Sequence, residues 1–407
     1  MKVLHLMPYS PVPPTFGGAL RSYHLLRQLV EHHEVTLVCF GTPDVPTKLK
    51  TTFNANLKEV HVVPVPLIGK YRRFGQLYAH WTKDSFLHLS CWSQEMQTLL
   101  NRLLAKDAYD VVQSEFYMMG SYNFQTDAVK ILDSHNVEHD IYRRMTIHAG
   151  SWLRKQHYDH EYRRLYDEEL TACRNHDAIF VTSARDKEIL DADVPEVPKF
   201  IVPNGVDTSY FTPSDEPHEG ASLVFTGMMG YVPNYDGMIY FLDKVFPLIQ
   251  KEIPRLKIYV VGDRPPKELL KRATEHIVVS GFVDDVRPYV WKSAVYVVPL
   301  RIGGGTRLKI LEAMAMKKPI VTTSIGCEGI DVRHRESVLI ADYPDEFAQS
   351  VIELLRNEPL QNRLTQNGYE LVHARYKWSV IGRHVETMYR SLTQSAPILE
   401  KEGSLYE

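Results

Sequence analysis

One pattern governs what this chain can fold into: short apolar runs alternate with helical segments, and the alternation occurs twice. Residues 3–7 form a short apolar run, followed by a Pro- and Gly-rich loop, PYSPVPPTFGG. Leu20, Tyr23, Leu26 and Leu29 then recur at helical spacing, and residues 34–40 are rich in β-formers. This order predicts a strand–helix–strand unit of a parallel sheet. Buried strands are predicted again at 60–63, 111–113, 129–132 and 178–182. After a Pro-, Gly- and Asp-rich stretch at 202–220 the alternation restarts, with strands predicted at 222–225, 257–261, 276–279, 295–298, 319–322 and 337–340. Helical patterns at 345–356, 360–373 and 379–392 close the chain. Two such runs predict two Rossmann-like α/β domains. A length of 407 residues accommodates them, since a domain takes about 150 residues. Two such domains facing each other would place a ligand cleft between them.

Composition narrows the function classes. Hydrophobic residues make up 44% and charged residues 24%, an ordinary globular mixture. Lys plus Arg is 47 and Asp plus Glu is 50, a net charge of −3. No basic footprint for nucleic acid results. Cys39, Cys91, Cys173 and Cys327 lack metal or redox spacing, so neither a zinc site nor a disulfide framework is expected. A cytoplasmic location is expected, because the start MKVLHLMPYSPVPP does not read as a leader and no membrane-length apolar stretch occurs.

The richest chemistry lies in PLRIGGGTRLKILEAMAMKKPIVTT, residues 299–323. A strand ends near Pro299, three glycines follow (Gly303, Gly304, Gly305), and a helix is predicted from near Thr306 to about Met316. Glycines allow close backbone approach to a ligand, and a helix start favours an anion such as a diphosphate. Arg307 and Lys309 add positive charge. Glu312 lies eight residues beyond Gly304, about 12 Å along a helix, where a carboxylate could accept hydrogen bonds from both hydroxyls of a ribose. A tight strand–helix connection with a surface glutamate is the plainer alternative.

This segment resembles the donor-site signature of the family 4 retaining glycosyltransferases, which have the GT-B fold of two facing Rossmann-like domains. The match is ILEAMAMKKPIV, with Glu312 as the second of the family's two glutamates. The first would fall at Gly304 and is absent, as in a subgroup with GGGTRLKILEAMA. The resemblance implies that Glu312 holds the ribose hydroxyls. TFGGALRSYHLLRQL resembles the family's first loop and brings in Gly17, Gly18 and, more weakly, Arg21. ILDSHNVEHD brings in His135 near the reacting sugar, and SEFY adds Glu115 as a weaker sugar or acceptor contact. FTGMMGYVPNYDG occupies the loop where the family has Arg and Lys on the diphosphate; here the polar groups are Asn234 and Asp236, which shifts the positive role to Arg307 or Lys309. Phe282 and Val283 would meet the nucleotide base.

The expected organisation is an N-terminal acceptor domain at 1–200, a nucleotide-sugar domain at 201–375, and a last helix, 376–393, crossing back to the first domain. The expected function is metal-independent sugar transfer, with retention, from a nucleotide diphosphate donor to a glycan, lipid-linked or small-molecule acceptor. Surface polysaccharide or glycolipid synthesis is the expected setting. No cofactor is expected, and the donor is a co-substrate. A nucleotide-sugar epimerase and a catalytically silent sugar-nucleotide-binding protein stand as alternatives. Asp191 and Asp193 read as a solvated loop rather than a metal pair. A dehydrogenase is disfavoured by the absence of G-x-G-x-x-G after the first strand, and a P-loop is absent. Segment 70–81 mixes Lys70, Arg72 and Arg73 with Tyr71, Phe74, Tyr78 and Trp81. Its aromatics read as core-facing, with peripheral docking on the anionic inner membrane surface as the alternative.

Overall fold

Each half of the chain builds one all-parallel sheet. A computed structural model describes residues 1–53, 57–79, 81–147, 150–303 and 305–394, without the side chains of 72–74 and 77. The first sheet contains β1 (Lys2–Met7), β2 (Glu34–Phe40), β3 (Leu57–Val63), β4 (Val111–Glu115), β5 (Val129–Ser134), β6 (Ala178–Val181) and β7 (Lys199–Ile201). Their order is β3-β2-β1-β4-β5-β6-β7. The second contains β8 (Ser222–Thr226), β9 (Lys257–Val261), β10 (Ile277–Gly281), β11 (Val295–Val298), β12 (Ile320–Thr322) and β13 (Leu339–Ile340), ordered β10-β9-β8-β11-β12-β13. All pairings are parallel. Helices cover both faces of such sheets, so β4, β6, β8 and β11 are buried along their whole length.

The chain divides between Pro203 and Asn204. Met1–Pro203 and the described residues from Ile381 to Gln394 form one domain, and Asn204–Val380 the other. The final helix, Trp378–Thr393, therefore begins with the second domain and ends packed on the first. There Tyr389 donates to Gln113, and Glu386 meets His33 at 2.5 Å.

In both sheets the connections leave the first strand in opposite directions, creating a switch point between β1 and β4 and another between β8 and β11. Loops at the carboxyl ends of strands beside such a point leave room for a ligand.

Several local expectations are corrected. The helix Gly17–His32 buries Arg21 and Ser22 beside Leu25, Leu26 and Leu29, while Leu20 and Tyr23 are only half-buried. Its inner face is rotated because acidic side chains of the sheet receive those two polar groups. The 306–316 helix runs only over Leu308–Ala315. Asp191 and Asp193 sit in the last turn of the helix Ala184–Asp193, not in a loop. Asp191 pairs with Lys187 and Lys199, and Asp193 accepts from Tyr166. Tyr71, Tyr78 and Trp81 are exposed rather than core-facing, Trp81 by 83%. The side chains of Arg72, Arg73 and Phe74 lie outside the described residues. Among the described residues, no helix is long and apolar enough to cross a membrane.

Candidate functional site

At the switch point of the second sheet, β8 ends in Thr226 and turns at Gly227, whose φ of 152° suits glycine. A Cβ at Gly227 would lie 2.6 Å from the Lys309 Nζ and 2.9 Å from the Asn234 Nδ2. The glycine thus makes room for a side chain arriving from another element. Lys309 comes from the first turn of Leu308–Ala315, donates to Asn234 Oδ1 at 2.8 Å, and sits 4.0 Å from the centre of the Phe225 ring. Asn234 donates in turn to the Met228 carbonyl at 2.9 Å.

Burial pushes the Lys309 ammonium down to about 7, against the favourable field of Glu312 and with the help of Arg307. Burial pushes the Glu312 carboxyl up to about 7, against the field of Lys309. One acid and one base on successive turns of a helix therefore both titrate near neutrality. Groups so perturbed beside a switch point make this a candidate functional site. Burial also raises the Tyr296 phenol, with Glu312 adding to the effect, and Tyr296 shares a 2.5 Å hydrogen bond with Thr226.

The glycine-rich loop differs from expectation. Gly303 and Gly305 have φ of 137° and 69°; Gly304 lies outside the described residues. Arg307 takes the position before the helix, is buried, and donates to the Gly305 carbonyl. It is folded onto its own loop, which leaves Lys309 as the cation nearer Glu312 in this arrangement. Asn234 is engaged at both ends of its amide, accepting from Lys309 and donating to the Met228 carbonyl, which leaves one N–H and one lone pair for a ligand. Asp236 grips Arg301 at 2.8 and 3.2 Å, with the guanidinium 4.7 Å from the Tyr240 ring centre. Arg301, two residues beyond Pro299, was not singled out in the sequence. A basic residue just after a strand at the switch point was the available signal. Phe282 is 71% exposed directly after Gly281, whereas Val283 packs half-buried against the domain core.

At the switch point of the first sheet, polar groups occupy the strand ends. Glu115, the last residue of β4, is fully buried. His135 Nε2 donates to it at 2.5 Å, His5 Nε2 at 2.6 Å, Gln113 at 2.8 Å and Ser22 at 3.3 Å. Burial alone would raise this carboxyl, but the hydrogen bonds from His135 and His5 hold it well below the usual carboxylate range. Next to it, Arg21 binds Asp133 through two contacts of 2.7 and 3.1 Å and donates to the carbonyls of Val202 and Pro203. Neither Glu115 nor Arg21 presents itself to an acceptor, which corrects both expected contacts. His5 and Asp133 escaped the sequence reading. A histidine interrupting an apolar strand and an aspartate inside another were the signals.

Gly17 opens its helix, exposed, and Gly18 lies beneath aromatic rings. A Cβ at Gly18 would fall 2.5 Å from the Tyr9 hydroxyl and 3.2 Å from Phe116. Among the described residues, Glu115, Asp133 and His135 could bracket a cation, their ligand atoms lying within 4.8 Å of one another. Both Asp133 oxygens already face Arg21, however, and Glu115 already accepts from two imidazoles.

Comparisons with known proteins place the chain by family and fold. Residues 17–210 match the family model described as Glycosyltransferase Family 4, and residues 220–357 the one described as Glycosyl transferases group 1. An uncharacterized 44.6 kDa protein in the cps region of Klebsiella pneumoniae is 23% identical over 391 residues, covering 92% of this chain and 96% of that protein. HepE from Anabaena, solved in complex with UDP, superposes with a TM-score of 0.70 at 13% identity, over 96% of this chain and 100% of that one. Sucrose-phosphate synthase from Thermosynechococcus elongatus gives 0.68 at 16%, over 97% and 100%. Structures this distant show the fold.

Proposed function

The chain is a GT-B-fold glycosyltransferase related to family 4, and from that premise we propose that it moves a sugar from a nucleotide diphosphate donor to a glycan or lipid-linked acceptor with retention of configuration. The observation that carries the donor half is the Lys309–Glu312 pair beside the β8–β11 switch point, poised near neutrality by burial. Lys309 neutralises the departing diphosphate, where fixed positive charge does most for the transition state. Glu312 accepts from the ribose hydroxyls. Exposed Phe282 offers an apolar face to the base, with Val283 behind it. Backbone amides of Gly303 and Gly305, with Arg307, frame the diphosphate. These cationic groups support catalysis without a metal, so a chelator leaves turnover intact.

In the first domain His135 acts on the transferring sugar. The nearest carboxylate, Glu115, accepts from four donors and has no exposed oxygen. That supports a front-face route, in which the leaving diphosphate helps take the acceptor proton, over attack by an enzyme carboxylate. The cps-region relative supports a role in surface polysaccharide or glycolipid synthesis. Exposed Tyr71, Tyr78 and Trp81 beside Lys70 support peripheral contact with an anionic bilayer.

A thermal-shift panel of nucleotide diphosphates and nucleotide sugars tests the reading, beginning with uridine nucleotides because UDP is bound in the HepE structure. A ligand specific to the native state adds about 2.7 kcal/mol at a hundredfold excess over its Kd. One base should stand out, and that nucleotide sugar should release its diphosphate in the presence of acceptor. His135→Ala should leave nucleotide diphosphate affinity unchanged and lower transfer by about 10². A flat panel would overturn the donor assignment.

A further inference from the structure

Two consecutive residues at the end of β4 close on His135 from different directions. Glu115 receives its Nε2 hydrogen at 2.5 Å. Phe116 lays its ring against the imidazole, centroids 3.9 Å apart and planes 33° from parallel. To do so Phe116 takes a φ of 63°, a left-handed conformation that a phenylalanine keeps only where its surroundings hold it. The backbone at this corner is arranged so that the glutamate side chain enters the sheet while the next side chain comes over the histidine.

Glu115 is itself held in place. His5 and Gln113 donate to one oxygen, at 2.6 and 2.8 Å, and Ser22 joins His135 on the other. Gln113 is fixed in turn by the phenol of Tyr389 on the final helix. A carboxylate enclosed like this does not touch substrate. What it can do is choose the tautomer of the imidazole that donates to it. A neutral histidine that donates from Nε2 carries its lone pair on Nδ1. The Nδ1 of His135 is buried with the ring and has no hydrogen-bond partner among the described residues, so it is a polar atom left for a ligand that reaches this corner.

We propose that Glu115, backed by His5, is a positioning residue for sugar transfer: it holds His135 as the Nε2–H tautomer, leaving Nδ1 as the acceptor for a hydroxyl of the transferring sugar. This rests on the reading of His135 as the group that meets the sugar. A carboxylate behind a histidine orients ligand-binding imidazoles in the same way. The network also accounts for a histidine inside β1, because His5 is part of what fixes the carboxylate.

The test uses full-length protein labelled with ¹⁵N-histidine. The wild-type spectrum should show His135 protonated on Nε2 and bare on Nδ1. Glu115→Leu should lose that tautomer preference and lower kcat by about 10², the usual scale for a positioned polar group, with nucleotide diphosphate Kd unchanged. Glu115→Gln keeps an oxygen that accepts from Nε2–H, so it should retain the tautomer and recover at least about tenfold of the kcat lost in the leucine variant. If Glu115→Leu does not fold, the glutamine variant decides alone: it must keep the tautomer and turn over within about tenfold of the wild type. A protonated Nδ1 in the wild type, an unchanged tautomer in a folded Glu115→Leu, or kcat and Kd falling in step would each overturn the assignment. The spectrum needs no substrate. Loss of the transferase reading would show as no turnover with the tautomer intact, which overturns the role, and loss of the positioning as a free tautomer with turnover intact.

Discussion

The two switch points of this molecule are built on opposite plans. In the first domain, Arg21 closes on Asp133, and His5, Gln113 and His135 close on Glu115; these donors hold Glu115 low, while burial, against Arg21 and with the help of Glu115, still raises Asp133. In the second, a lysine and a glutamate are brought under cover with their charges poorly compensated, and both drift toward neutrality. A closed network of this kind gives a fixed geometry, with its carboxylate oxygens already engaged. A poorly compensated pair gains from a ligand that supplies what is missing: negative charge for Lys309, hydroxyl donors for Glu312. The first plan suits holding a side chain in position, and the second suits binding.

The sharpest way to break this contrast is Arg21→Ala. It leaves Asp133 buried without its guanidinium, and removal of one partner from a buried pair costs about 3–5 kcal/mol. Denaturant unfolding should show that loss in the first domain, while nucleotide diphosphate affinity, which belongs to the second, stays the same. A loss below about 1 kcal/mol would mean that the network is not closed.

Lys309→Ala should act the other way, with little loss of stability because the charge is already poorly solvated. Turnover should fall by about 10²–10³, the range for removal of one transition-state donor. Steady-state kinetics against nucleoside affinity reads the split, and equal losses in both would reduce Lys309 to a ground-state contact. Glu312→Ala should weaken nucleotide diphosphate and donor alike by at least about tenfold, since a hydrogen bond to a charged group is worth roughly 1.5–3 kcal/mol. Calorimetric titration of the folded variant measures it, and an unchanged Kd removes Glu312 from the site.

The smallest effect concerns protons. Free Lys309 loses its proton as pH rises through about 7. A bound diphosphate favours the charged ammonium and raises that value. Binding above pH 7 should therefore take up protons, and affinity should fall as pH rises from 7 toward 9. Calorimetry at pH 8 in buffers of different ionisation enthalpy reads the uptake directly; proton release would reverse the assignment of the cation.

Periodicity carried the fold because it is local. Apolar runs such as AIFV and VYVV announce buried parallel strands wherever they lie in the chain. The glycine-rich segment likewise announced its loop, and Lys309 and Glu312 their shared helix, from spacing alone. The helix start was read two residues early because Arg307 folds back onto the Gly305 carbonyl, a contact that spacing does not encode. Spacing offers Asn234 as a ligand group and does not show Lys309, 75 residues away, on its amide. The sequence offers Arg21 and Glu115 as acceptor or sugar contacts for the same reason. Their partners, Asp133 and His5, stand 112 and 110 residues distant. A helix or a strand depends on neighbours a few residues apart, so the chain by itself determined where most strands and helices of both domains would form; the edge strand β7 and the order that sets the switch points were not legible in it. Whether a buried charge is answered, and so whether it serves as scaffold or as ligand site, depends on groups that only the folded sheets bring within 3 Å of one another, and that was decided by the tertiary structure.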